Sequence, residues 1–306
     1  MVWMYLDYYK SLLGEVPSFL KKYLTVPSME RLKGIGYFCG MDRASKEIYN
    51  FREPITRYDH SLTVALMTYR LTHDKKATLA GLFHDVGTPC FSHVVDYMNQ
   101  DFEKQESTEE FTEEILEKDP LLKDYLKEDG LHISDIADFK QYPVVDNERP
   151  KLCADRLDGI ILTGISWTKD ITPEDISEMI RTMQLYQNDE GEPEIGFANP
   201  AVGEKVLALS HTIDEYCHSD ADNYMMSVLG DITRLAIQDG LFTYHDLYTM
   251  SEEEAFQLFH QSSNVEIHYL LNKFYHLPKD RIPEKNIPRI KRRVIHPIVC
   301  GRRIYE

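Results

Sequence analysis

The sequence predicts an all-α protein with one small β hairpin and a C-terminal extension. That prediction rests on three observations. Apolar residues recur at helical spacing over most of the chain, helix-start signals precede those runs, and one short stretch reads as paired strands. In "HSLTVALMTYRL", Leu62, Leu66 and Tyr69 repeat at i, i+4 and i+7, with Ala65 beside them. "KKATLAGLFHD" repeats with Leu79, Leu82 and Phe83, and Gly87 is the expected stop of that helix. Thr56 followed by Asp59 is a start signal for a helix from about Arg57. Ser107 and Glu110 have the same spacing in "STEEFTEEILEK", and Pro173 after Thr172 opens another helix. Helical pattern continues through 200–240 and 251–275. Asn188, Gly191 and Pro193 mark a turn, which predicts the hairpin over 184–198.

The chain has 306 residues and divides on this reading into an N-terminal helical segment 1–29, a main helical domain 30–275 and a basic arm 276–306. It carries 34 Lys and Arg against 51 Asp and Glu, a net charge of −17, which argues against general nucleic-acid binding. Five cysteines without a C-x-x-C pair suit a reducing, cytoplasmic setting. The first residues lack a basic leader with a clean apolar run, and no stretch reaches the roughly 18 apolar residues of a membrane span. The arm gathers Lys285, Arg289, Lys291, Arg292, Arg293, Arg302 and Arg303. It reads first as a packed segment neutralising acidic helices, and otherwise as a polyanion or nucleotide contact. Val294, Ile295, Ile298 and Val299 suggest a strand interrupted by Pro297.

The chemistry concentrates in "TRYDHSLTVALMTYRLTHDKKATLAGLFHDVGTPCFSH", residues 56–93. His60 follows Arg57 by three positions at a helix start, so both face one way, and an arginine there is placed to fork onto a phosphate. His84 and Asp85 close the next helix. Asp155 sits in "KLCADRLDGIILTG" beside Leu152, Ile160 and Ile161, where an unligated carboxylate is costly. Asp158, three residues on, is placed to orient a ligating histidine, and Arg156 is a second candidate phosphate contact. Imidazoles and carboxylates on rigid helices are what a catalytic metal requires. The same His-Asp dipeptide recurs at His245-Asp246, where no role is assigned.

The ordered set resembles the HD superfamily of metal-dependent phosphohydrolases, an all-α core with a His…His-Asp…Asp signature. "RLKGIGYF", "TRYDHS", "GLFHDVGTPCFSH" and "ADRLDG" are similar to its deoxynucleoside triphosphate triphosphohydrolase branch. The resemblance spans roughly residues 30–165. It implies His60, His84, Asp85 and Asp155 as metal ligands, Arg57 and Arg156 at the phosphates, and His93 near the scissile phosphate. It also implies one divalent metal ion (Mn, Fe, Ni, Zn or Mg), with Asp85, His93 and Glu106 handling protons or orienting water. A second metal lacks its histidines, because His93 and His132 alone lie between Asp85 and Asp155. Three positions depart from the branch: Thr88 replaces a histidine, Gln105-Glu106 a His-Glu pair and Gly159 a tyrosine. The metal ligands remain while proton- and phosphate-handling positions change. The expected activity is therefore hydrolysis of a phosphate ester of a nucleotide or related small molecule. The alternative is a catalytically weak regulatory protein that binds metal and nucleotide. Homo-oligomers are common in the branch.

Overall fold

The structure, a computed structural model, describes residues 4–103, 110–284 and 290–305. The described residues form fourteen α-helices and four short strands. In chain order these are α1 (Tyr5–Leu13), α2 (Pro27–Arg31), α3 (Arg57–Thr72), α4 (Lys75–Phe83), α5 (Val94–Asn99), α6 (Thr112–Lys118), α7 (Pro120–Glu128), α8 (Ser134–Ala137) and α9 (Ala154–Thr163). There follow α10 (Pro173–Thr182), β1 (Met183–Gln187), β2 (Pro193–Phe197), α11 (Pro200–Cys217), α12 (Asp220–Gln238), α13 (Glu252–Gln261), α14 (Val265–His276), β3 (Ile298–Val299) and β4 (Arg302–Arg303). No helix among them is long and apolar enough to cross a membrane.

Two hydrophobic clusters build the interior. One gathers α1, α3, α4, α9, α10 and α11 around Val64, Leu82, Phe83, Leu157 and Ile161; the other gathers α5, α12, α13 and α14 around Phe91, Leu229, Phe256 and Phe274. Phe51 and Trp167 pack against both. A seam between two cores is where clefts form, and the main cavity opens there.

Local signals act as their chemistry demands. Thr56 caps α3 by accepting from Asp59 N while Asp59 accepts from Thr56 N, and Thr172 and Asp175 do the same for α10. The expected hairpin forms, with Met183 opposite Phe197. The arm then extends it: β3 runs parallel to β2 and β4 folds back on β3, giving the order β1-β2-β3-β4. Gly196 and Gly203 permit this, because a Cβ at either would collide with Ile298 or Val299. Buried Glu194 accepts both guanidinium nitrogens of Arg303 at 2.8 Å, so one predicted basic residue does neutralise an acid of the body.

Three local expectations are corrected. Helix α4 ends at Phe83, and Gly87 does not take a left-handed conformation, so the turn at 84–87 rather than a glycine cap stops it. Helix α6 starts at Thr112 with Phe111 at its N-cap; Ser107 lies outside the described residues, and Glu110 accepts from the Tyr244 and Tyr248 hydroxyls instead. Val294 and Ile295 are not strand; the pairing starts only after Pro297, which cannot donate to a ladder.

Candidate metal centre

Helices α3 and α9 lie against each other, with α4 packed on α3. Their ends bring the sequence-predicted residues to one wall of a cavity of about 270 Å³. His60 projects from the first turn of α3. His84 and Asp85 occupy the turn that ends α4, and Asp155 lies in the first turn of α9. His60 Nε2 is 3.1 Å from Asp155 Oδ1 and 3.2 Å from His84 Nε2; His84 Nε2 is 3.6 Å from Asp155 Oδ1. Ligands bonded at about 2.1 Å to one ion lie about 3.0–3.4 Å apart in octahedral or tetrahedral arrangements. These three residues therefore form a cluster that could hold one divalent metal ion.

The tautomers fit that use. His84 Nδ1 donates to Gly81 O at 2.7 Å and His60 Nδ1 donates to Asp158 Oδ2 at 2.7 Å, so on both rings Nε2 is the atom turned to Asp155, and it becomes a ligand atom once its proton leaves. Asp158 is fully buried and also accepts from the Tyr9 hydroxyl of α1 at 2.5 Å. Asp85 stands slightly back. Its oxygens lie 3.8 Å from His60 Nε2 and 4.0 Å from His84 Nε2, accept from Thr88 Oγ1 at 2.9 Å and pair with Arg57 at 2.9 Å.

The electrostatics call for positive charge. Burial opposes charging of His60, yet its bonds to Asp155 and Asp158 win and raise its pKa to about 10. Burial likewise opposes charge on His84, and Asp85 beside it raises its pKa all the same. Asp155 is only partly buried; desolvation by the cavity wall works against its charge, and His60 and His84 still hold it well below the carboxylate range. Asp85 is held down against its burial by Arg57 and the same imidazoles. The two carboxylates thus favour positive charge at the imidazoles, and a metal ion bound there would displace the imidazole protons.

Arg57 is buried, stacks on the Tyr37 ring at 5.0 Å and lines the cavity. Arg156 also lines it, but its donors hold the 146–151 loop through Asp146 at 2.9 Å, Lys151 O at 2.9 Å and Asn147. His93 precedes α5, donates from Nδ1 to Asp96 at 2.8 Å and lines the cavity; burial lowers its pKa although Asp96 works the other way. Glu106 and Gln105 lie outside the described residues. His132 is exposed at the start of α8, as an ordinary surface position. Asp146, Cys153 and Asp155 also approach one another, but Arg156 already pairs with Asp146.

Sequence reasoning misses several lining residues. Tyr37 packs on His60 at 5.1 Å, and its hydroxyl fills the space over Gly159, where a Cβ would come within 2.9 Å of it. Arg149 lines the cavity, donates to Arg293 O at 3.2 Å and has its pKa pressed down to about 10 by burial and by Arg156 and Arg293. Arg149 stands in "DNERPK", which offers no periodicity or motif to flag it. Lys291 and Arg293 bring the basic arm to the cavity wall.

Residues 57–158 match the HD domain family. The matched segment holds the whole His/Asp cluster. Among individual proteins, it is 32% identical over 143 residues to the uncharacterized protein YdhJ of Bacillus subtilis, covering 45% of this chain and 41% of that protein. It is 22% identical over 218 residues to the metal-dependent phosphohydrolase cns2 of Cordyceps militaris, covering 69% of this chain and 61% of that protein. The chain spans less than two thirds of the length of either relative.

Proposed function

We propose that the protein is a metal-dependent phosphohydrolase cleaving a phosphate ester of a nucleotide or related small molecule. The observation that carries this is the convergence of His60 Nε2, His84 Nε2 and Asp155 Oδ1 within 3.6 Å, with both Nδ1 atoms anchored elsewhere. The HD match and the Cordyceps relative's printed activity support the same reading. A divalent ion bound there supplies an activated water and polarises a phosphoryl oxygen.

The side chains divide the remaining work. His60, His84 and Asp155 would hold the ion, and Asp85, whose Oδ1 accepts from Thr88 and whose Oδ2 accepts from Arg57, would join them through a remaining lone pair. Arg57 keeps Asp85 ionised, so Asp85 orients the attacking water and balances charge. His93 enters as the neutral imidazole with Nδ1–H on Asp96; its Nε2 takes the water proton and returns it to the leaving oxygen. Arg57 and Arg149 meet the phosphate charge, and Arg156 adds field while its hydrogen bonds stay with the loop. Glu106 is proposed to orient His93 or the water.

The test is release of phosphate, or of a phosphorylated product, from a panel of nucleotides and simple phosphoesters with Mn, Co, Ni, Zn or Mg. Turnover that disappears in His60→Ala and Asp155→Ala is the expected result. One observation favours a second reading, the weak regulatory protein: Thr88 spends its hydroxyl on Asp85 and has no proton to shuttle. Metal-dependent nucleotide binding without turnover of any substrate would select it.

A further inference from the structure

The cavity extends beyond the metal cluster, and a continuous aromatic wall leads away from it. The His60 ring touches Tyr37, Tyr37 meets Phe38 at 5.3 Å, Phe38 stacks on Phe51 at 4.3 Å, and Phe51 stacks on Tyr49 at 5.6 Å. Trp167 tilts over Phe51 and Tyr49 at 6.1 and 6.0 Å. At the end of this wall the Tyr49 hydroxyl donates to Asp222 Oδ1 at 2.7 Å. Asp222, in the first turn of α12, is 8% exposed and lines the cavity. Among the described residues, no hydrogen bond reaches its Oδ2. Arg293 and His218 act on it only through their charge, and burial against them raises its pKa to about 6.

A buried carboxylate costs several kcal/mol unless something compensates it. One hydroxyl bond and the charges of Arg293 and His218 compensate Asp222 only in part. The proposed hydrolysis does not use it, and α12 packs through Met225, Val228, Leu229 and Ile232, not through this side chain. What fits is a ligand: rings lie flat along the wall, and an acceptor waits at its end.

We propose that Asp222 is a specificity-determining residue that reads a hydrogen-bond donor, N–H or O–H, on the ring portion of the phosphorylated substrate, with Tyr49 fixing its orientation. This rests on the phosphohydrolase reading and deepens it. A site built around a buried acceptor rejects analogues that lack the donor, because the acceptor is then left dry and unpaired. The donor could be an exocyclic amine on a base or a hydroxyl on a sugar, and both share the same chemistry.

The experiment is a binding titration with Mn, followed by Trp167 fluorescence in a Trp3→Phe background and repeated by calorimetry. It uses nucleotide pairs differing in one group: adenine against hypoxanthine for the amine, and ribose against 2′- and 3′-deoxyribose for each hydroxyl. One pair should differ about ten- to a hundredfold in wild type, and which pair does so tells amine from hydroxyl. Asp222→Asn should collapse that ratio or, at an amine-to-carbonyl pair, invert it, since an amide also donates. Tyr49→Phe should weaken the ratio while leaving binding measurable and guards against an Asp222 variant that fails to fold. If nucleotides bind but no pair differs, or Asp222→Asn leaves the ratio unchanged, the inference is overturned while the phosphohydrolase reading stands. If no nucleotide binds under any metal and no phosphoester turns over, both fall.

Discussion

The chain contains the dipeptide His-Asp at 84–85 and again at 245–246, and the fold treats the copies oppositely. His84 and Asp85 are 6% and 8% exposed, in a turn facing His60, Arg57 and Asp155. His245 and Asp246 lie in a surface turn, where the His245 ring edges Phe111 at 5.3 Å and its Nε2 is 3.8 Å from exposed Glu114. Asp246 serves its own loop, accepting from Thr243 N and Oγ1. Sequence is identical across the pair; what differs is desolvation and the distant groups that the helices bring up. Burial makes charge costly and so makes partnership obligatory, which suits the first pair to the proposed metal centre and leaves the second to its own loop.

The two dipeptides should part most at the residues proposed to hold the metal. His84→Ala or Asp155→Ala should weaken Mn or Ni binding more than about a hundredfold, beyond the 10–100-fold that outer partners reach. His245→Ala should bind as wild type does. Calorimetric titration of metal-stripped protein measures all three, and equal losses at 84 and 245 would erase the distinction. Next in size is Asp158→Asn. It removes the charged acceptor that fixes the His60 tautomer, so affinity should fall about 10–100-fold with circular dichroism unchanged. Tyr9→Phe, which leaves that bond in place, should fall less.

The site is more legible in the sequence than the cavity around it. His60, His84 and Asp155 can be picked out because Thr56 and Asp59 mark the start of α3, the apolar run Leu79, Leu82 and Phe83 leads into His84, Asp155 stands beside Leu152, Ile160 and Ile161, and ligand chemistry restricts residue type. Asp158 follows from helical spacing alone. Arg149, Tyr37 and Asp222 reach the cavity through contacts far along the chain, and nothing in their immediate sequence distinguishes them from surface arginines, core tyrosines or helix-start aspartates. The arm shows the same limit. Its charge is plain, but the parallel pairing of Ile298 and Val299 with β2 depends on the missing side chains of Gly196 and Gly203, a packing fact without a periodic signature. Gly87 misleads because glycine marks several kinds of turn.

A smaller effect is expected at a buried acid outside the proposed metal centre. Glu252 in α13 is 4% exposed, and burial, then Asp42 beside it, raises its pKa to about 8. The Gly36 amide, Arg43 and Arg57 act in the opposite sense. Neither Glu252 Oε1 nor Asp42 Oδ1 receives a hydrogen bond among the described residues. The folded state therefore binds the Glu252 proton more tightly than the unfolded chain. The stability this gives is complete below the unfolded value near 4.5 and is lost as pH rises through about 8. Glu252→Gln imitates the protonated acid. Thermal melts at pH 5.5 and 8.5 should show wild type losing a few degrees more than the variant. An equal loss in both would mean that the acid is already ionised and paired.

The smallest expected effect lies at the second dipeptide itself. Asp246 holds two hydrogen bonds from Thr243, at 2.7 Å to its N and 2.8 Å to its Oγ1, in an arrangement that closes the turn before Leu247 and Tyr248 enter the core. Those bonds hold its pKa below the usual range, the Thr243 amide most of all, at a group that water reaches freely. Removing a side-chain cap of this kind costs about 0.5–2 kcal/mol, with exposed examples at the low end. Asp246→Ala should therefore lower the melting temperature by one to a few degrees and leave metal affinity and phosphoester turnover where they are. A loss of either would mean that the loop between α12 and α13 communicates with the centre: Cys90, next to the His84-Asp85 turn, donates its amide to Leu247 O, and that bond is the route by which a slack turn at 246 would loosen it.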